Sequence, residues 1–109
     1  ANILIAASDA GVPVGYLIAY LLDRIDGSGG MMLFYEISVA QSHRGRGVGT
    51  KMIAELKSLC RRHDVAKMWV QTNRSNTAAT RLYSRTGAQE PAETDEITFT
   101  YFPGSFLDG

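Results

Sequence analysis

At 109 residues the chain has material for one domain and too little for two cores. Hydrophobic residues make up 45% and charged residues 20%, an ordinary globular composition that argues against disorder. Lys plus Arg and Asp plus Glu are both 11, and this balance excludes a nucleic-acid binder that attracts by overall charge. One cysteine leaves no internal disulfide framework and points to an intracellular, cytoplasmic setting. No run of 18 apolar residues marks a membrane span, and the opening residues lack the basic start of a secretory signal. The chain opens at Ala1 in an apolar run without a methionine, as a piece of a longer reading frame would.

In chain order, Ile3 to Ala7 is a short apolar run stopped by the turn cluster Ser8-Asp9-Ala10-Gly11. Val12 to Leu22 is rich in β-branched and aromatic residues, so the two runs read as a hairpin. Arg24 to Gly30 is a loop, because its glycines disfavour any regular element. Met31 to Val39 reads as a central strand. Strict alternation puts Leu33, Tyr35, Ile37 and Val39 on one face and Met32, Phe34, Glu36 and Ser38 on the other.

The period then changes. Val48, Met52, Leu56, Leu59 and Cys60 recur at three and four, which predicts an amphipathic helix from about Arg46 to His63. Ala66 to Thr72 is a fourth strand. Ser75 or Asn76 caps a second helix that turns Ala79, Leu82 and Tyr83 inward, and Gly87 ends it. Ile97 to Phe102 is the last strand. Three strands followed by helix, strand, helix and strand give an α/β (α+β) chain with a parallel pair inside a mixed sheet.

His43 to Thr50 reads His-Arg-Gly-Arg-Gly-Val-Gly-Thr, between a central strand and an amphipathic helix. A helix start offers unpaired N–H groups and a positive dipole end, and glycines let backbone approach an anion closely. Arg44, Arg46 and Lys51 add charge, so a phosphate or pyrophosphate belongs here. The order Gly49-Thr50-Lys51 fails the P-loop pattern, and Thr50 stands where a dinucleotide fingerprint needs its third glycine. Cys60 and His63 could supply two ligands on one helix, but nothing completes a metal site, so no metal is expected.

Arg44-Gly45-Arg46-Gly47-Val48-Gly49, with Asn76-Thr77-Ala78-Ala79-Thr80-Arg81-Leu82-Tyr83 and Gly87 downstream, resembles the GNAT superfamily of N-acetyltransferases. The resemblance runs from Ile3 to Phe102. It implies a GNAT-like mixed sheet with antiparallel N-terminal strands, a splayed parallel strand pair and two main helices, without the family's usual first strand and first two helices. It implies acetyl-CoA as cosubstrate. Ile37, Ser38 and Val39 would bond its pantetheine arm through the main chain, with the Val39 amide as oxyanion donor. Arg44, Gly45, Arg46, Gly47, Val48, Gly49 and Thr50 would hold the pyrophosphate, and Asn76 would contact the arm.

Tyr83 matches the family's general acid, which protonates the departing thiolate. A Glu that some relatives use as base is Gln71 here, and an amide cannot act as one. Glu36 is then the expected base, raised by desolvation on an apolar strand. Tyr35-Glu36-Ile37-Ser38-Val39, Met68-Trp69-Val70-Gln71 and Asp95-Glu96-Ile97-Thr98-Phe99 resemble the aminoglycoside 3-N-acetyltransferases, whose antibiotic substrates are polycations. The reading is therefore acetyl transfer from acetyl-CoA to a small-molecule amine, with neither nucleic acid nor membrane as partner. Two alternatives stay open: transfer to a protein amine, and a truncated acyl-CoA-binding module without catalysis. Pairing of two copies along the N-terminal strand edge is a further expectation.

Overall fold

The computed structural model describes residues 1–27, 29–90 and 102–105. Four strands form one sheet: β1 (Asn2–Asp9), β2 (Val12–Leu22), β3 (Met31–Val39) and β4 (Lys67–Val70), in the spatial order β1-β2-β3-β4. The first three are antiparallel neighbours, and β4 runs parallel to β3. Ala10 and Gly11 both have positive φ, the geometry of a two-residue hairpin turn between Asp9 and Val12. Helix α1 (Val48–Arg62) crosses from β3 to β4, and α2 (Thr77–Arg85) follows β4. This is the α/β arrangement read from the sequence. The expected last strand, with Asp95 and Glu96 before it, lies outside the described residues except for Phe102.

Pairing between β2 and β3 departs from strict alternation. Ile18 faces Glu36 and Ala19 faces Phe34, so Tyr35 is an extra residue on β3, a bulge. Because side chains alternate with period two, one inserted residue exchanges the faces of everything beyond it. Met32 and Phe34 are buried under α1, and after the bulge it is Ile37 and Val39 that pack against the same core. Glu36 and Ser38 turn to the opposite face, beside Tyr16. The uniform alternation expected from the sequence is thus wrong at its midpoint. Nothing in the apolar pattern marks the extra residue, because Leu33 and Tyr35 are apolar as well.

One face of the sheet is covered. Leu17, Ala19, Met32 and Phe34 meet Met52, Ile53 and Leu56 of α1 there, and these residues form the core. Gly15 permits this close packing: a Cβ on it would lie 3.0 Å from the Ser38 carbonyl oxygen and 3.1 Å from the Met52 methyl. On the other face, Leu4, Tyr16 and Tyr35 are exposed, and the Tyr20 and Tyr35 rings meet edge to face at 5.6 Å.

The helices start and stop where backbone chemistry requires. Gly45 and Gly47 adopt left-handed φ of 77° and 82°, so α1 begins at Val48 rather than Arg46. Asn76, rather than Ser75, caps α2: its Oδ1 accepts from the Ala79 amide at 3.1 Å. At the other end Ala88 N–H donates to Tyr83 O and Gly87 N–H to Ser84 O, with Gly87 at φ 99°. This paired closure satisfies carbonyls left over by the helix. Strand β4 spans only Lys67–Val70, shorter than the expected Ala66 to Thr72, and that brevity shapes the site.

Candidate functional site

Strand β3 runs on to Val39, but its pairing with β4 stops at Phe34 and Val70. The two parallel strands diverge from the bulge onward and leave a gap. What faces the gap follows from the register. Ala40 N–H donates to Val14 O at 2.8 Å, which makes that a hydrogen-bonded pair. Antiparallel pairs alternate, so Ser38 with Tyr16 and Glu36 with Ile18 are bonded pairs too. The N–H and C=O groups of Ile37 and Val39 therefore point away from β2, into the gap. Main-chain bonding to a ligand arm, expected of Ile37, Ser38 and Val39 alike, narrows to Ile37 and Val39, because the Ser38 backbone is committed to β2.

A cavity of about 630 Å³ continues from this gap to the two helix starts. Of the residues expected to bind cofactor, Ile37, Ser38, Val39, Arg44, Gly45, Gly47, Val48, Gly49, Thr50 and Asn76 line it. Arg46 is exposed and is not among the lining residues. Arg85 is also part of the lining. His43 lines it as well, its Nδ1 2.8 Å from Ser42 Oγ and its Nε2 2.8 Å from Asp9 Oδ2. The Arg44 Nε donates to Val39 O at 3.1 Å and ties the loop to the end of β3.

The α1 start has no side-chain cap, since Gly47 holds the capping position. The amides of Val48, Gly49 and Thr50 precede the first intrahelical bond, from Lys51 N–H to Gly47 O. Gly49 is buried, and a Cβ there would lie 3.1 Å from Leu82 Cδ2, so its bareness brings α2 against the loop. Both helix starts thus border one cavity with their positive ends. This donor set fits a diphosphate, and the gap beyond it fits an extended arm that hydrogen-bonds like a strand. Acetyl-CoA has both parts.

Tyr83 and Glu36 are not brought to one face. Tyr83 is half-buried on the helix side, its ring edge to face with Phe34 at 5.5 Å. Burial pushes its phenol above the usual tyrosine range. It faces a second hollow with Gln71, Asn73 and Thr80. Glu36 lies on the open face, exposed, and accepts from the Tyr16 hydroxyl at 3.1 Å. The desolvated setting expected for Glu36 is therefore not found. The carboxylate acts on its neighbour: its hydrogen bond and its charge both raise the Tyr16 phenol above its ordinary value. Tyr83 and Glu36 thus stand on opposite faces of the sheet, the first on the covered face and the second on the open one.

Among the described residues no group of three or more His, Cys, Asp or Glu could hold a metal ion. Cys60 is half-buried with its Sγ 3.8 Å from Met68 Sδ, and burial raises its thiol. Among the described residues no helix is long and apolar enough to cross a membrane.

The profile of the Acetyltransferase (GNAT) family matches residues 1–88. The chain belongs to the GNAT acetyltransferase family. Over 63 residues it is 38% identical to an uncharacterized N-acetyltransferase, YobR, of Bacillus subtilis (strain 168), a match covering 58% of this chain and 24% of that protein. The structure resembles an aminoglycoside acetyltransferase, HMB0005, from an uncultured soil metagenomic sample, at 32% identity and a TM-score of 0.74. That likeness covers 91% of this chain and 66% of the other. A second aminoglycoside acetyltransferase from such a sample, meta-AAC0020 in complex with trehalose, shares the fold at 19% identity and a TM-score of 0.76, covering 93% and 64%. The chain thus spans about a quarter of the curated relative's length and about two thirds of these structures.

Proposed function

We propose that this chain carries the acetyl-CoA site of an N-acetyltransferase whose acceptor is a primary amine on a polycationic small molecule of the aminoglycoside kind. The observation that carries the donor half is the continuous cavity from the uncapped α1 start to the outward-facing amides of Ile37 and Val39. The acceptor half draws support from the exposed Glu36 carboxylate on the open face of the sheet and from HMB0005, an aminoglycoside acetyltransferase at 32% identity.

Bound acetyl-CoA supplies the acetyl group as a thioester. In this reading the Gly45–Thr50 amides, Arg44 and Arg85 hold the diphosphate end, and the Ile37 main chain and Asn76 guide the arm. The Asn76 Oδ1 is spent on the Ala79 amide, so its NH₂ is the group left to donate. The Val39 N–H points into the gap, fixed before any ligand arrives, and receives the charge that grows on the carbonyl oxygen. The amine lone pair attacks the carbonyl carbon and the carbon–sulfur bond breaks. Tyr83 gives its proton to the leaving sulfur, and a phenol carries that proton at neutral pH. Glu36 serves from the opposite face, where it holds the incoming ammonium and accepts its proton; the second proton, shed by nitrogen as the amide forms, makes good the one Tyr83 gave up. The amine enters from the open face and the sulfur leaves toward the helices.

The test is a calorimetric titration with acetyl-CoA, followed by thiol-release assays over a panel of amines that includes aminoglycosides and a lysine peptide. Saturable binding with turnover on aminoglycosides is expected. Absence of acetyl-CoA binding defeats the donor reading. Turnover on the peptide alone defeats the acceptor reading.

A further inference from the structure

Beyond the motif residues, the loop has an anchor that reaches across the sheet. Asp9 ends β1 at the hairpin turn, 34 positions from His43 in sequence, yet its Oδ2 lies 2.8 Å from His43 Nε2. A carboxylate only accepts, so Nε2 must carry a proton, and a neutral His43 is the Nε2–H tautomer. Its Nδ1 is then an acceptor, and the Ser42 hydroxyl at 2.8 Å donates to it. Both ring nitrogens are occupied and the ring orientation is fixed. The His43 side chain keeps only 20% of its exposure, whereas Asp9 keeps 63%.

The other hydrogen bonds of His43 and Arg44 are local. His43 N–H donates to Ala40 O, and Arg44 bonds Val39 O. These hold the loop to β3, from which it emerges. At its far end the loop runs into the start of α1, where Val48 packs on the core and Gly49 is buried. Between these two ends Gly45 and Gly47 offer little backbone resistance. The bond to Asp9 holds the loop at a further point, two strands away in the order β1-β2-β3.

We infer that Asp9 is a positioning residue for the anion-binding loop: through the Nε2–H of His43 it sets the loop's orientation before ligand arrives. The inference rests on reading the cavity as the acetyl-CoA site. Preorganising donors lowers the cost of ordering them on binding. Since the bond needs an acceptor rather than a charge, Asn at position 9 should preserve it and Ala should not.

The experiment compares wild type, Asp9→Ala and Asp9→Asn by acetyl-CoA titration, by amide hydrogen exchange at 45–49 without ligand, and by Tm. Asp9→Ala should weaken acetyl-CoA about three- to tenfold, the range that one hydrogen bond supports. It should also speed loop exchange while Tm stays within about 2 °C, since Asp9 is exposed. Asp9→Asn should restore both readouts. Unchanged loop exchange in Asp9→Ala, or failure of Asp9→Asn to restore it, overturns the inference. If wild type binds no acetyl-CoA, the site reading fails by itself, and the exchange comparison still decides the anchor.

Discussion

The two faces of the sheet around β3 are built by different means. The helix side is made of backbone: left-handed glycines, amides ahead of the first α1 bond, and the outward N–H groups of Ile37 and Val39. The open side is made of side chains set by register: Glu36 beside Tyr16, with Tyr20 and Tyr35 packed edge to face. A backbone site depends on local conformation, and a short contiguous motif specifies it. A side-chain site depends on which face each strand residue takes, and a single bulge decides that. The donor side should therefore respond to changes in main-chain conformation, and the open side to changes of functional group.

The largest effect expected sharpens the division between binding and chemistry. Tyr83→Phe should lower acetyl transfer about 10²- to 10⁴-fold, the usual range for a general acid, while the acetyl-CoA Kd from calorimetry stays within twofold of wild type. Equal loss of binding would mean that the tyrosine serves the cavity wall. The same variant has a second readout. Burial raises the folded-state phenol pKa, so the stabilising contribution is present below the ordinary tyrosine value of about 10 and is lost as pH rises through the folded value. Thermal melts of wild type should therefore fall at alkaline pH more steeply than those of Tyr83→Phe.

Next in size is Gly47→Ala. A Cβ there meets nothing within 4 Å, so any loss arises from the φ of 82° alone. Left-handed backbone costs a non-glycine residue about 1–2 kcal/mol. Acetyl-CoA affinity should drop about tenfold if the loop relaxes out of this conformation, as the titration would show. Unchanged affinity would break the claim that backbone shape makes this side.

The smallest effect is a change in titration on the open face, separate from any loss of turnover. Glu36→Gln removes the charge that raises the Tyr16 phenol, so this tyrosine should titrate at lower pH than in wild type. Carbon-13 resonances of the ring, assigned through Tyr16→Phe, would follow it. No movement would separate the two residues in solution.

How much of this could be read beforehand follows the same division. Arg44 to Thr50 and Asn76 to Gly87 are contiguous motifs; Asn76 and Gly87 bound α2 as expected, while left-handed Gly47 delays the start of α1 to Val48. The helical stripe from Val48 to Leu59 marks α1 for the same reason. Alternation could not reveal the Tyr35 bulge, because apolar residues occupy both faces before it. Hence the facing of Glu36, its pairing with Tyr16 and its exposure were hidden. The Asp9–His43 contact was hidden as well, since nothing local connects residues 34 positions apart.

Helix α2 has no buried residue, and Leu82 and Tyr83 are only partly enclosed. A nine-residue helix is marginal in isolation, so its persistence depends on what lies against it. The cavity it borders gives ligand a share in that support. A ligand filling that cavity would add packing to this wall. Under thermal challenge its last turn, which already relies on the Lys57 ammonium donating to Thr86 O, should be the part whose lifetime most closely follows ligand concentration.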